Sequence, residues 1–60
     1  MFSRKDPYLL LSIVNMKLRD EASNLQDLCL TYNQNLEDIS ARLEVVGYYY
    51  DEKFNQFITK

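Results

Sequence analysis

The sequence predicts an α+β fold, three helices followed by a C-terminal β-hairpin, in one small domain spanning residues 1–60. Three observations support this prediction. Apolar residues recur at helical spacing as far as Val46. Gly47, the sole glycine, comes next, at the position where a left-handed residue commonly ends a helix. Beyond it, aromatic and β-branched residues on both sides of a polar turn are typical of two paired strands.

The first helix is expected from about residue 7 to residue 19. Asp6 can cap its first turn, and Pro7 suits the first helical position, where no amide hydrogen is needed. Successive side chains are about 100° apart around a helix, so side chains fall into stripes along it. The stripe expected to face the core consists of Leu10, Leu11, Val14 and Leu18.

A polar stripe follows the core stripe around this helix and consists of Tyr8, Ser12, Asn15 and Arg19. In one interpretation its end is solvated, and Arg19 with nearby Lys17 offsets the helix dipole. In another, Ser12, Asn15 and Arg19 form a polar network against the hairpin or a partner. Arg19 would then hold a carboxylate such as that of Asp51. Both interpretations stay open.

A second apolar stripe lies beyond the polar one and consists of Leu9, Ile13 and Met16. A helix of a small domain needs one apolar stripe for its core, and exposed apolar surface usually marks a contact. This stripe should therefore lie under the hairpin or against another chain. Leu30 and Tyr49 are candidates for the edge of such a contact.

Two shorter helices are expected next, from about residue 24 to 32 and from about 36 to 46. Ser23 and Gln26 form a capping-box pattern for the second helix, and Asn35 can cap the third. The inner faces should be formed by Leu25, Leu28, Cys29 and Tyr32 in the second helix, and by Leu36, Ile39, Leu43 and Val46 in the third.

The hairpin is expected from about residue 48 to residue 59. If Tyr50 pairs with Phe57, then Tyr48, Tyr50 and Phe57 share the face that packs on the helices. Tyr49 and Ile58 share the other face. This order of elements resembles that of a minimal winged helix-turn-helix.

Composition argues against catalysis, because the chain has no histidine and only one cysteine, Cys29. These counts exclude an internal disulfide and a Cys/His metal site, and no glycine-rich phosphate loop is present. We therefore expect no enzyme activity, no cofactor and no metal. No signal peptide or apolar run of about 20 residues is apparent, so we expect no membrane association and a cytoplasmic location.

Landmarks along nearly the whole chain resemble a small bacterial family, the domain of unknown function number 4250. The resemblance implies a stand-alone intracellular bacterial protein and no activity. Less typical of the family are Glu21-Ala22, the turn Asn33-Gln34-Asn35, and Tyr49. The matching landmarks are Asp6-Pro7, Leu10-Leu11-Ser12, Asn15-Met16-Lys17-Leu18-Arg19-Asp20, Leu25, Leu28-Cys29, Leu43, Gly47-Tyr48, Tyr50-Asp51 and Asn55-Gln56-Phe57.

The function expected from these features is that of a non-catalytic protein-interaction module that associates with itself through the first helix. The expected partner is a second copy, giving a dimer, or another protein. The alternative is a nucleic-acid-binding regulator. It is disfavoured by the net charge of −2 and by the acidic outer face of the third helix. It would bind through Arg4, Lys5, Lys17, Arg19 and Lys53. A third option is a regulatory subunit that docks on a larger enzyme.

Overall fold

The computed structural model describes residues 6–59, and it confirms the predicted three helices followed by an antiparallel hairpin. The helix and strand ends differ from the predicted ones by at most one residue. The likeness to a winged helix-turn-helix stays a prediction. The elements, in chain order, are α1 Pro7–Asp20, α2 Leu25–Thr31, α3 Leu36–Val45, β1 Tyr48–Asp51 and β2 Gln56–Thr59.

The start of α1 is fixed by its own first residues, as the sequence predicted. The Asp6 side chain accepts hydrogen bonds from the amides of Tyr8 at 2.9 Å and Leu9 at 3.2 Å. Pro7 is the first helical residue. Two of the amides that a helix start leaves without a partner are thereby satisfied.

The predicted cap of α2 was wrong by one residue. Asn24, not Ser23, is the cap, and its side chain accepts from the Asp27 amide at 2.7 Å. The Asp27 carboxylate in turn accepts from the Ser23 amide at 3.0 Å, which gives a reciprocal pair like a capping box. At the other end Asn33 is left-handed, with φ of 54°, and the Gln34 amide bonds the Cys29 carbonyl at 2.8 Å, as in a Schellman motif.

Asn35 caps α3 as predicted, because its side chain accepts from the Asp38 amide at 2.9 Å. Gly47 has φ of 88° and ends the helix in the left-handed conformation expected of it. One prediction fails here: Leu36, assigned to the inner face, is 38% exposed. It lies in the first turn of α3.

The hairpin places Tyr50 opposite Phe57 and Tyr49 opposite Ile58, which is the condition for the expected division of its side chains between two faces. The rings of Tyr50 and Phe57 lie 5.6 Å apart on the inner face. Tyr49 and Ile58 lie on the outer face and are exposed.

The core forms where α1, α2, α3 and the inner face of the hairpin meet. Partly buried side chains that pack against it include Leu11, Tyr48 and Tyr50. The predicted inner residues of α1 and α2 are thus confirmed, apart from the partial exposure of Leu11 and Tyr32. The buried apolar residues are Leu10, Val14, Leu18, Leu25, Leu28, Cys29, Ile39, Leu43 and Phe57.

Candidate interaction surface

The second apolar stripe of α1, hereafter the α1 stripe, consists of Leu9, Ile13 and Met16 and faces away from the core. Leu9 is 48% exposed, Met16 is 46% exposed, and Ile13 is partly buried. At about 100° per residue, the three lie within roughly 60° of one another around the helix. The hairpin leaves much of this stripe exposed to solvent. The stripe is therefore not covered by the hairpin, which was one of the two positions expected for it.

The hairpin is attached to α1 through Asn15, which belongs to the polar stripe. The Asn15 amide nitrogen donates to the Phe57 carbonyl at 3.1 Å, and its amide oxygen accepts from the Phe57 amide at 2.8 Å. The side chain therefore occupies the main-chain positions that a neighbouring strand would use. Gln56 adds a bond from its side-chain nitrogen to the Asn15 carbonyl at 3.0 Å.

A second attachment comes from Asn55, at the end of the turn between the strands. Its side-chain nitrogen donates to the carbonyls of Leu18 at 2.9 Å and Ala22 at 3.0 Å. Its oxygen accepts from the Tyr50 hydroxyl at 2.6 Å, and that hydroxyl accepts from the Leu25 amide at 3.2 Å. One asparagine thus links the hairpin, the end of α1 and the start of α2.

The sequence offered only a partial signal for this second attachment. Asn55 has φ of 53°, and asparagine is among the few residues that adopt this conformation readily. The turn was therefore predictable, but the two carbonyls that the side chain binds come from more than thirty residues earlier in the chain.

These attachments place the outer face of the hairpin beside the α1 stripe. Asn55 contacts the end of α1 and Phe57 contacts Asn15, so β2 runs antiparallel to α1. One strand residue spans about 3.3 Å and one helical residue about 1.5 Å, so Ile58 lies about two helical residues before Asn15, level with Ile13. Ile58 is 39% exposed and its cross-strand partner Tyr49 is 36% exposed. Ser12, also exposed, lies between these side chains and the α1 stripe.

Leu30 lies apart from this surface, on the outward face of α2, and is 76% exposed. Helix α2 packs on the other flank of α1, where Tyr32 meets Lys17. Of the two residues predicted at the edge of a contact, Tyr49 therefore lies on the hairpin side of α1 and Leu30 on the α2 side.

Lys17 is buried, which corrects the interpretation of a solvated helix end. Its side-chain nitrogen donates to the Tyr32 hydroxyl at 3.1 Å and to Glu21 at 3.3 Å, and lies 4.4 Å from the centre of the Tyr32 ring. The Tyr32 hydroxyl donates to the other Glu21 oxygen at 2.5 Å. The hydrogen bond with Tyr32 is the main cause that raises the pKa of Lys17 and lowers the pKa of Glu21.

Arg19 is exposed and bonds its neighbour Asp20, from its Nε at 3.1 Å and from a terminal nitrogen at 3.5 Å. This hydrogen bond raises the pKa of Arg19. The predicted fork between Arg19 and Asp51 was wrong. Asp51 instead accepts from the amides of Lys53 at 2.8 Å and Phe54 at 3.3 Å, within the hairpin turn. The structure thus brings Asn15 into a network with the hairpin but leaves Ser12 and Arg19 outside it.

The basic residues of the alternative function do not form one patch within residues 6–59. Lys17 and Arg19 are two positions apart, so they point in directions roughly 160° apart. Lys53 is exposed in the hairpin turn. The other two candidates, Arg4 and Lys5, lie outside the described residues.

The part of the chain that the structure describes contains no candidate metal site. No three acidic, cysteine or histidine side chains there lie close enough together to hold a metal ion. Cys29 is buried, and its burial raises the pKa of the thiol, so the reactive thiolate is disfavoured. No helix within residues 6–59 is long and apolar enough to span a membrane.

Comparison with known proteins gives one match. The family model described as a domain of unknown function (DUF4250) matches residues 4–57, which cover most of the chain. Neither the search of curated proteins nor the search of solved structures found a match.

Proposed function

The chain belongs to the DUF4250 family, whose description assigns no activity, and from this premise we propose that it is a non-catalytic protein-interaction module that associates with itself. The proposed contact is the α1 stripe together with the outer face of the hairpin. The observation that supports it is the exposure of nearly half of Leu9 and of Met16 on a helix whose opposite face already supplies the core. A contiguous exposed apolar surface commonly marks a protein contact.

The area that a stable dimer needs argues that the contact extends beyond α1. A typical interface covers about 800 Å² per partner, which is roughly a fifth of the accessible surface of 4212 Å² here. Three side chains that are already about half covered cannot supply that area. Tyr8, Tyr49 and Ile58 extend the apolar surface across the polar stripe, and large amphipathic aromatics are favoured at interfaces.

The test is mass in solution, by light scattering on a sizing column over a hundredfold range of concentration. The wild type is expected to be a dimer, and the double variant Leu9→Ser/Met16→Ser should raise its dissociation constant at least about tenfold. Both side chains are about half exposed, so these changes spare the core. Ile13→Asp should give a monomer or an unfolded chain, because Ile13 is partly buried.

The matched control is Val45→Ser, which removes an equally apolar side chain that is 84% exposed on α3. It should leave the dissociation constant unchanged. A wild type that is monomeric throughout, or a double variant that dimerises as strongly as the wild type, would refute self-association. A monomer would direct the search to a different protein partner, such as a larger enzyme on which the chain docks.

Nucleic-acid binding is the weaker proposal, because Lys17 is buried and Arg19 is paired with Asp20. If it occurs, affinity for DNA or RNA should fall steeply with salt as counterions are released. A fluorescence-anisotropy titration at two salt concentrations tests this. Salt-insensitive binding, or no binding at low salt, would eliminate the proposal.

A further inference from the structure

The hairpin has two edges, one formed by β2 and one by β1. The bonds at the edge of β2 determine which main-chain groups of β1 point outward from the other edge. The amide and the carbonyl of Phe57 both bond Asn15, so they point away from β1. In an antiparallel pair, residues directly opposite each other either exchange both bonds or direct both groups outward, and the two kinds of pair alternate. Tyr50 lies opposite Phe57, so its main-chain groups point outward from the other edge, and so do those of Tyr48.

This second edge, the open edge of β1, is not closed by any of residues 6–59. No hydrogen bond within residues 6–59 reaches the outward main-chain groups of Tyr48 or Tyr50. By contrast, Asn15 closes the edge of β2. An exposed row of main-chain donors and acceptors is a template on which an extended peptide can add as a further strand.

A groove borders the open edge and has a volume of about 560 Å³. Tyr50 and Glu52 line one side, and Leu36 and Ser40, one turn apart on α3, line the other. Residues 23–26, at the start of α2, also line the groove. It thus lies between a strand and a helix and presents apolar, hydroxyl and amide groups, the kind of lining that receives the alternate side chains of an added strand.

The charge around the groove is acidic. Among residues 6–59, Glu52 is the only charged residue that lines the groove. Glu37 and Glu44 are exposed on α3, roughly 60° or less around the helix from Ser40, and so lie on the flank next to the groove. Such an arrangement favours a partner of positive charge.

We propose that the open edge of β1 and this groove bind an extended, basic peptide segment of another protein, which adds to the hairpin as a third strand. A second copy of the chain fits less well. Pairing β1 with its own copy would bring two acidic flanks together, and like charges across an interface oppose association. The site lies on the opposite side of the hairpin from α1, so it does not depend on the proposed self-association.

Nuclear magnetic resonance on the full chain tests this proposal, with an acetylated and amidated peptide of three Lys-Val repeats as the probe. Binding should slow hydrogen exchange at the amides of Tyr48 and Tyr50 by at least about tenfold. The Phe57 amide serves as an internal reference, because Asn15 already binds it. No protection of Tyr48 and Tyr50, or protection spread evenly over the chain, would overturn the proposal.

Two further peptides separate strand addition from charge attraction. The same peptide methylated on every main-chain nitrogen keeps its charges but donates no main-chain hydrogen bond, and it should not bind. A peptide of three Glu-Val repeats should not bind either. Equal binding by the methylated or the acidic peptide would overturn the proposal.

A pair of variants tests whether the attraction for a basic peptide arises at the groove. Glu52→Lys should weaken binding of the Lys-Val peptide by about fivefold, as expected for reversing one exposed charge at a contact. Asp20→Lys makes the same change of net charge at the end of α1 and should leave the affinity unaltered. Equal effects of both variants would contradict a site at the groove. Protection of Tyr48 and Tyr50 that rises with protein concentration alone would instead assign the edge to a second copy.

Discussion

Replacement of Asn15 by alanine is expected to detach the hairpin from α1. The substitution removes two hydrogen bonds with the main chain of Phe57, at 2.8 and 3.1 Å, in a partly buried position. Each such bond contributes about 0.5–1.5 kcal/mol, so Asn15→Ala should lower the free energy of unfolding by about 2 kcal/mol. A core of this size supplies only about 3–5 kcal/mol, so this loss is a large part of the total.

Urea unfolding followed by circular dichroism measures this change. With a slope of about 1 kcal/mol per molar urea, the midpoint should fall by about 2 M. Hydrogen exchange at the Phe57 amide should accelerate in the variant, because the acceptor of that amide is gone. The matched control is Ser12→Ala, an exposed position of the same stripe, which should change stability by less than about 0.5 kcal/mol.

Asn15→Asp separates loss of the donor from loss of the side chain. The ionised carboxylate can still accept from the Phe57 amide but places a second oxygen against the Phe57 carbonyl. Protonation restores a donor, so the stability difference from the wild type should shrink below about pH 4. An Asn15→Ala midpoint within 0.5 M of the wild type, or unchanged exchange at Phe57, would refute the role given to this side chain.

Three further changes test other parts of the structure, each by urea midpoint. Asn55→Ala should lower the free energy of unfolding by about 1 kcal/mol more than Asn55→Gly does. Both variants lose the side-chain hydrogen bonds, but only alanine is strained at φ of 53°. Equal losses of stability would contradict this. Gly47→Ala should lower the free energy of unfolding by about 1 kcal/mol, and Gly47→Asn by less. An added Cβ meets no atom within 4 Å, so only the left-handed φ disfavours the new side chain, and asparagine tolerates that φ better than alanine. The hydrogen bonds from Tyr32 and Lys17 lower the pKa of Glu21 from its ordinary value of 4.5, so its stabilising effect is present above that pH and is lost as the pH falls through the lowered pKa. The midpoints of wild type and Glu21→Gln should therefore differ at pH 7 and converge towards pH 3, and a constant difference would contradict the assignment.

The parts of the fold that the sequence predicted well are those that depend on neighbouring residues. Asp6 caps the helix that begins at the next residue, and Gly47 follows the last turn of α3 in the left-handed conformation. The prediction of the α2 cap was wrong because Ser23 and Asn24 are both favourable cap residues. In the structure the Ser23 amide bonds the Asp27 carboxylate, and Asn24 is the cap.

The burial of Lys17 was missed because it depends on a contact between distant residues. Nothing near Lys17 in the sequence indicates burial, since Tyr32, whose hydroxyl accepts a hydrogen bond from Lys17, lies at the end of another helix. The fork between Arg19 and Asp51 is absent because each residue bonds a neighbour in the sequence instead. Arg19 bonds Asp20, and Asp51 accepts from the amides of Lys53 and Phe54. Of the three polar-stripe residues proposed as a network, only Asn15 faces the hairpin.

The attachment of the hairpin also explains why the α1 stripe is exposed. Asn15 can bond Phe57 in one rotation of α1 only, since a turn of about 100° would put Met16 in its place. Asn55 fixes the same rotation from the end of the helix, through the carbonyls of Leu18 and Ala22. Turning the helix to bury the stripe would therefore break amide bonds at both points and expose core residues in exchange. The polar contacts of the fold thus keep this apolar surface exposed. Covering it with a second chain leaves those contacts intact, whereas a rearrangement within the first chain would break them.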